Sequence, residues 1–304
     1  ALNARGWRAA SQGERADVCV INTCTVTQRA SMQSRQLIRQ LQRAHPGARI
    51  IVTGCYAQIA PEEIAAVGGV HATVGRDRKA HLPEIIINTY RAPENETVPS
   101  HGQVTAWESW AVMPPAAPGM RTRPFLKIQD GCNNFCTYCI VPYARGRSRS
   151  LPPERVMEQL VHVGAMGYRE VVLTGIHLGA YGLDLTPASM ASMRVSSCEA
   201  MIDLVASSDV FCPHFHLPLQ SGDDAILKRM HRPYTRDLFR RQVEAIHDRL
   251  PRAAIGADVL VGFPGETQAN FAQTMRLLEE LPLSYLHVFP FSARPGTPAA
   301  DYPN

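Results

Sequence analysis

The sequence predicts an α/β protein: an N-terminal doubly wound parallel-sheet domain, then a second series of βα units forming a barrel or partial barrel. Three observations predict it. Short apolar runs alternate with longer segments of helical periodicity, which implies parallel strands covered on both faces. The strand-like runs end at polar or Gly-containing turns, where open α/β folds gather ligands. A proline-rich stretch over residues 91–122 separates the two series.

In chain order, residues 17–22 (DVCVIN) read as a buried strand ending at a polar turn. Residues 28–44 carry Met32, Leu37, Ile38 and Leu41 at helical spacing, and His45-Pro46-Gly47 stops that helix. Residues 49–53 (RIIVT) form a second strand followed at once by Gly54-Cys55, and Pro61-Glu62-Glu63 opens a helix. A third strand is expected at 70–74 and a helix at 80–90. Residues 1–90 make the first domain and 91–122 a linker, in which Trp107 and Trp110 are expected to dock on a domain surface. In the second series, 123–304, strands are expected at 125–129, 170–174, 193–197, 214–217, 255–261 and 284–290. Helices are expected at 153–166, 199–207, 223–230, 235–249 and 267–280. The chemistry of such a barrel sits at the C-terminal strand ends.

The 304 residues allow one or two domains. Apolar residues are 45% and charged residues 19%, an ordinary globular balance. No apolar run approaches the roughly 18 residues of a membrane span, and no signal peptide is visible. A cytoplasmic protein is expected. The net charge of +4 permits a polyanionic partner without demanding one.

Of eight cysteines, three crowd into the stretch Gly131-Cys132-Asn133-Asn134-Phe135-Cys136-Thr137-Tyr138-Cys139, directly after the first strand of the second series. Short Cys loops of this kind bind iron–sulfur clusters. Three thiolates hold three irons of a cubane and leave the fourth open. A structural zinc site is the competing reading, but zinc prefers four closed ligands, and no fourth Cys or His lies in the loop. This Cys-x-x-x-Cys-x-x-Cys stretch resembles that of the radical S-adenosylmethionine (SAM) superfamily. The resemblance implies a partial (β/α)6 barrel, a 4Fe–4S cluster on Cys132, Cys136 and Cys139, and SAM bound to the open iron.

The same resemblance assigns further residues. Gly175 and His177, in LTGIHLG after the second strand, are expected near the methionyl amine of SAM. Gln220 and Ser221, in LPLQSG, suit its ribose; the segment from Asp258 (DVLVGFPGE) is expected near the adenine. Tyr138 packs on the cluster or adenine, or simply within its loop.

Ile21-Asn22-Thr23-Cys24-Thr25 and Val52-Thr53-Gly54-Cys55-Tyr56 each put a cysteine just beyond a strand. They resemble the N-terminal domain of methylthiotransferases, which implies a second, auxiliary 4Fe–4S cluster with Cys24 and Cys55 as two of its three ligands. The third family cysteine follows an earlier strand, which here would lie before Ala1. Cys19, inside a strand, reads as a small buried hydrophobe, and Cys198 and Cys212 read as structural.

QDGCNNFCTYCIVPYARGRSRS (Gln129 to Ser150), NTCTVT and HLPLQSGDDAILKRMHRPYT (His216 to Thr235) are most similar to enzymes acting on threonylcarbamoyladenosine in tRNA. The resemblance then implies methylthiolation of that base beside the anticodon, with the tRNA anticodon stem-loop, SAM and an electron donor as partners and no membrane. Alternatives are the relatives acting on isopentenyladenosine in tRNA or on a ribosomal-protein aspartate, and, outside enzymes, a zinc-containing RNA-binding module. Arg145, Arg147 and Arg149 are candidate RNA-steering residues, against a solvated basic turn; Arg145 also suits SAM or the threonyl carboxylate. Arg35, Arg39 and Arg43 read as a solvated helix face. The family's C-terminal RNA-binding β-barrel is not expected in this chain, and the span between Asp184 and Arg194 is short for the barrel helix the family places there.

Overall fold

The computed structural model describes residues 2–11, 13–93, 98–100, 123–185 and 198–303. The chain divides into two compact units, Ala1–Cys132 with Ile140–Gly182, and Asn133–Cys139 with Leu183–Asn304.

The first unit opens with β1 (Val18–Thr23), α1 (Gln28–Ala44), β2 (Arg49–Gly54), α2 (Cys55–Ile59), α3 (Pro61–Ala65), β3 (Ala72–Val74), α4 (Leu82–Arg91) and β4 (Val98–Ser100). The strands form one parallel sheet in the order β1-β2-β3-β4. Period-two alternation sends β1 and β2 side chains to opposite faces. Ile21, Ile50 and Val52 pack with Ile38 of α1 and Ile64 of α3; Ile51, Ala72 and Val74 pack with Ile85 and Ile86 of α4. Full burial of an aliphatic side chain such as Ile38 contributes about 1.5–3 kcal/mol. Thr27 caps α1 by accepting from Ala30 N at 3.1 Å.

Two features depart from the sequence reading. Cys55, read only as a cysteine just beyond a strand, begins a short helix. Residues 98–100 lie in the expected linker, yet they pair with β3 as a parallel edge strand. The rest of that linker, with Trp107 and Trp110, lies outside the described residues.

The same unit contains β5 (Phe125–Lys127), β6 (Gln129–Asp130), α5 (Val141–Arg145), β7 (Arg149–Ser150), α6 (Pro153–Ala165) and β8 (Val172–Thr174). The strand expected at 125–129 changes partner at Ile128: β5 runs parallel to β8, and β6 runs antiparallel to β7. Leu126, Ile128, Leu151 and Val156 form the core beneath. These segments belong to the same compact unit as the N-terminal sheet, so the unit boundary falls later than the linker.

The second unit holds α7 (Cys198–Ala206), β9 (His214–Gln220), α8 (Asp224–Arg229), α9 (Arg236–Arg249), β10 (Ala254–Val261), α10 (Gln268–Glu280) and β11 (Tyr285–Pro290). Its sheet is parallel, in the order β11-β10-β9. Leu219, Val243, Ile246, Ile255, Ala257 and Leu277 form its core. Thr235 caps α9, and Thr267 with Asn270 makes a capping box on α10. The strand expected at 193–197 lies outside the described residues. No described helix is long and apolar enough to cross a membrane.

Candidate iron–sulfur and SAM site

The register of the first sheet places two of the expected ligands side by side. Thr23 and Gly54 are the last paired residues of β1 and β2, so Cys24 and Cys55 leave adjacent strands at the same C-terminal edge. Gly54 permits this. Its φ is +105°, and a Cβ there would lie 2.2 Å from the carbonyl oxygen of Thr23. Cys24 is exposed and Cys55 is buried.

The surroundings of Cys55 are cationic. Arg76 Nη1 lies 3.9 Å from its Sγ, and Arg145 also bonds to this thiol. Both arginines pair with Asp130, Arg76 at 2.9 Å and Arg145 at 3.0 Å; Lys127 at 2.9 Å and Arg149 at 3.3 Å complete the set. Asp130 also accepts from Gly131 N at 3.0 Å. Burial favours the neutral acid at Asp130, but the charges of Lys127, Arg76 and Arg145 overcome it and hold the carboxyl well below its usual range. Lys79 lies close by, hydrogen-bonded to Asn22 at 3.3 Å. Burial, then the charges of Arg76 and Lys127, lowers its pKa. Asp130 thus gathers four cations, of which Arg76 and Arg145 bring positive charge to Cys55. That charge fits thiolates carrying an anionic iron–sulfur group.

The second cysteine loop follows β6. Gly131 has φ +75°, and a Cβ would lie 2.0 Å from the carbonyl oxygen of Arg147, so only glycine lets the chain turn into Cys132. Cys132 N donates to Gly146 O at 3.1 Å. Farther along, Phe135 adopts a left-handed backbone, φ +46°, and Cys139 N closes a turn onto Cys136 O at 2.9 Å. Thr137 is held at both backbone groups, donating to Met230 O and accepting from Ala299 N. No described cysteine is in a disulfide.

Arg232 completes this loop, and the sequence reading passed over it. Its Nη1 donates to Cys136 Sγ at 3.2 Å, its Nε to Tyr234 Oη at 2.9 Å and its Nη2 to Pro218 O at 3.4 Å. Burial opposes its charge, but nearby Tyr138, Tyr234 and Cys136 favour it more, and its pKa rises. Burial lifts the Tyr234 hydroxyl to about 12, so both tyrosines stay neutral at ordinary pH. A charged donor aimed at a buried sulfur suits a thiolate ligand and disfavours a neutral thiol.

Tyr138 packs with Ile226, Met230, Leu260 and Phe263, which is the loop-packing role among those expected for it. Gly175 is needed for a close approach, since a Cβ would lie 2.9 Å from Gln129 Oε1. His177 presents its backbone N–H to that oxygen at 2.8 Å. Gln129 also donates to Gly131 O, so it ties the turn before Cys132 to the loop after β8. Gln220 follows a bulge in the β9–β10 register and has φ +68°. The Ser221 side chain is fully buried, and its hydroxyl meets Thr274 Oγ1 at 3.4 Å and accepts from Asp223 N. That hydroxyl closes the loop against α10. Asp258 is bonded to His216 and His287. The picture of a free arginine trio also changes: Arg145 and Arg149 are turned inward to Asp130, and Arg147 alone of the three is exposed. On α1, Arg35 binds Glu63 and Tyr56, while Arg39 and Arg43 are exposed.

Residues 126–278 match the radical SAM superfamily model, and residues 1–75 match an uncharacterized protein family, UPF0004. A Bacillus subtilis protein named threonylcarbamoyladenosine tRNA methylthiotransferase MtaB is 42% identical, over 97% of this chain and 69% of its own. An Aquifex aeolicus protein of the same name is 38% identical, over 97% and 76%. A Carboxydothermus hydrogenoformans protein named tRNA-2-methylthio-N(6)-dimethylallyladenosine synthase is 33% identical, over 99% and 73%. Among solved structures, the radical SAM methyltransferase TsrM from Kitasatospora setae, with cobalamin and a 4Fe–4S cluster bound, superposes with a TM-score of 0.62 at 15% identity. The match covers 94% of this chain and 64% of that one, and shows a shared fold. With the cysteine loop after β6 and paired cysteines on the N-terminal sheet edge, these matches show that the chain belongs to the methylthiotransferases of the radical SAM superfamily.

Proposed function

We propose that the protein methylthiolates N6-threonylcarbamoyladenosine in tRNA, beside the anticodon, to its 2-methylthio derivative. The observation that supports this most is similarity to proteins of that named activity across both the N-terminal and the radical SAM segments. A tRNA substrate supports a cytoplasmic location.

In this reading Cys132, Cys136 and Cys139 hold a 4Fe–4S cluster, and Cys24 and Cys55 contribute to an auxiliary one. When bound, the cluster and SAM supply radical chemistry and a methyl group, which an aromatic C–H bond needs because it offers no easy acid–base route. An electron donor is required. The chain's own residues do five things. Gly131 and Phe135 shape the loop that presents the thiolates. Arg232 keeps a positive charge beside the Cys136 sulfur. Gln129 holds the SAM-side loop of Gly175 and His177 to the turn at Gly131. Arg76 and Arg145 stabilise negative charge at Cys55, and the exposed Arg147 is available to phosphate.

The relative acting on dimethylallyladenosine keeps a second tRNA substrate in view. Anaerobic reaction of the reconstituted protein with tRNAs bearing each modification, followed by nucleoside mass spectrometry, decides between them. A methylthio product from threonylcarbamoyladenosine alone supports the proposal. Product from the other base alone overturns the substrate assignment.

A further inference from the structure

We propose that His216, Asp258 and His287 form a binding site for a divalent transition-metal ion of the zinc type, separate from every cysteine. The three residues come from the adjacent parallel strands β9, β10 and β11. On β10, Ala257 and Val259 are buried in the core with the helices, so Gly256 and Asp258 point to the opposite face of the sheet. Asp258 is the register partner of His287, and Gly256 that of both His216 and Tyr285. The two imidazoles therefore flank the carboxylate on one face.

The donor atoms converge. His216 Nε2 is 2.8 Å from Asp258 Oδ1, His287 Nδ1 is 3.3 Å from the same oxygen, and the three ligand atoms all lie within 4.8 Å of one another. Metal bonds of about 2.0–2.1 Å require donors roughly 3.0–3.5 Å apart in a tetrahedral arrangement. Two imidazoles and one carboxylate make a borderline donor set that suits zinc-like ions over magnesium or calcium. His287 is half-exposed, which leaves an open coordination position toward solvent, as in sites with three protein ligands.

A second layer orients the first. Tyr285 Oη lies 3.1 Å from His216 Nδ1 and 2.9 Å from His214 Nε2. With His216 Nδ1–H donating to that oxygen and the tyrosine donating to His214, the lone pair of His216 Nε2 faces the site. Metal-bound histidines are oriented by such partners. Gly256 makes room for this: a Cβ there would lie 2.1 Å from the Tyr285 ring.

The test is zinc uptake by the cluster-loaded protein, by anaerobic equilibrium dialysis against buffered Zn2+ with metal analysis. The unmodified protein should take up one more zinc per chain than His216→Ala/His287→Ala. Affinity should fall about 10- to 100-fold in Tyr285→Phe, the size of effect typical of such partners. Unchanged cluster absorption verifies the fold of each variant. Equal zinc uptake by the unmodified and double-variant proteins overturns the site. Because a variant can misfold, anomalous scattering from zinc-soaked anaerobic crystals of the unmodified protein gives a second reading. Zinc density between the three side chains supports the site, and its absence with zinc bound elsewhere overturns it. Neither readout depends on the tRNA reaction.

Discussion

The guanidinium of Arg232 donates to the sulfur of Cys136 across 3.2 Å, bringing a half-buried positive charge to one cysteine of the radical SAM loop. Cluster potentials respond to net charge and to hydrogen bonds on sulfur. Arg232→Gln should lower the midpoint potential by on the order of tens of millivolts and slow SAM cleavage. Anaerobic redox titration followed by electron paramagnetic resonance measures this. An unshifted potential would show that the contact is only structural.

Asp130 is a carboxylate shared by Arg76, Lys127, Arg145 and Arg149. Removing it leaves buried Arg76 without its counter-charge, and breaking such a pair costs about 3–5 kcal/mol. Asp130→Asn should lose stability of that order in urea unfolding at neutral pH. The folded carboxyl titrates below its ordinary value of 3.8, so its contribution is fully present above that pH and fades as pH falls below it. The gap between unmodified protein and variant should therefore stay constant from pH 7 to 5 and begin to close below pH 4.

Gly54→Ala puts a methyl group against the Thr23 carbonyl at the strand edge that carries Cys24 and Cys55. Forced packing of this kind costs about 1–3 kcal/mol, and the two cysteines should separate. Iron analysis after reconstitution should show less iron per chain, with SAM cleavage at the other loop largely kept. Full iron content would mean that the edge tolerates the change.

Arg147 is the exposed arginine of its trio. Arg147→Glu should raise KM for tRNA several-fold, more at low salt, because phosphate contacts are screened by ions. SAM cleavage without tRNA should not change. Steady-state kinetics at two salt concentrations tests this, and a KM equal to the parent's would remove Arg147 from the RNA surface.

Much of this arrangement was legible in the sequence because its signals are local. The apolar runs at 17–22 and 49–53, each followed by a cysteine, gave the sheet edge, and the Cys132–Cys139 spacing gave the loop. What was not legible is non-local or breaks a local rule. Val98-Pro99-Ser100 reads as linker because proline interrupts strands, yet an edge strand tolerates it. Asp130 meets Arg76 across 54 residues, and nothing near either residue announces the pair. Ser221 meets Thr274 of α10 across 53 residues, a contact its own motif does not announce. His216, Asp258 and His287 are far apart in sequence and meet only through the register of three strands.

Three thiolates that leave one iron vacant for SAM are the feature on which the catalytic reading stands. The direct test is electron paramagnetic resonance of the reduced, reconstituted protein before and after adding SAM, compared with Cys132→Ala/Cys136→Ala/Cys139→Ala. The unmodified protein should show a 4Fe–4S signal that SAM perturbs, and the triple variant should lack it. A signal indifferent to SAM, or a SAM-sensitive one that survives loss of all three cysteines, would contradict the assignment.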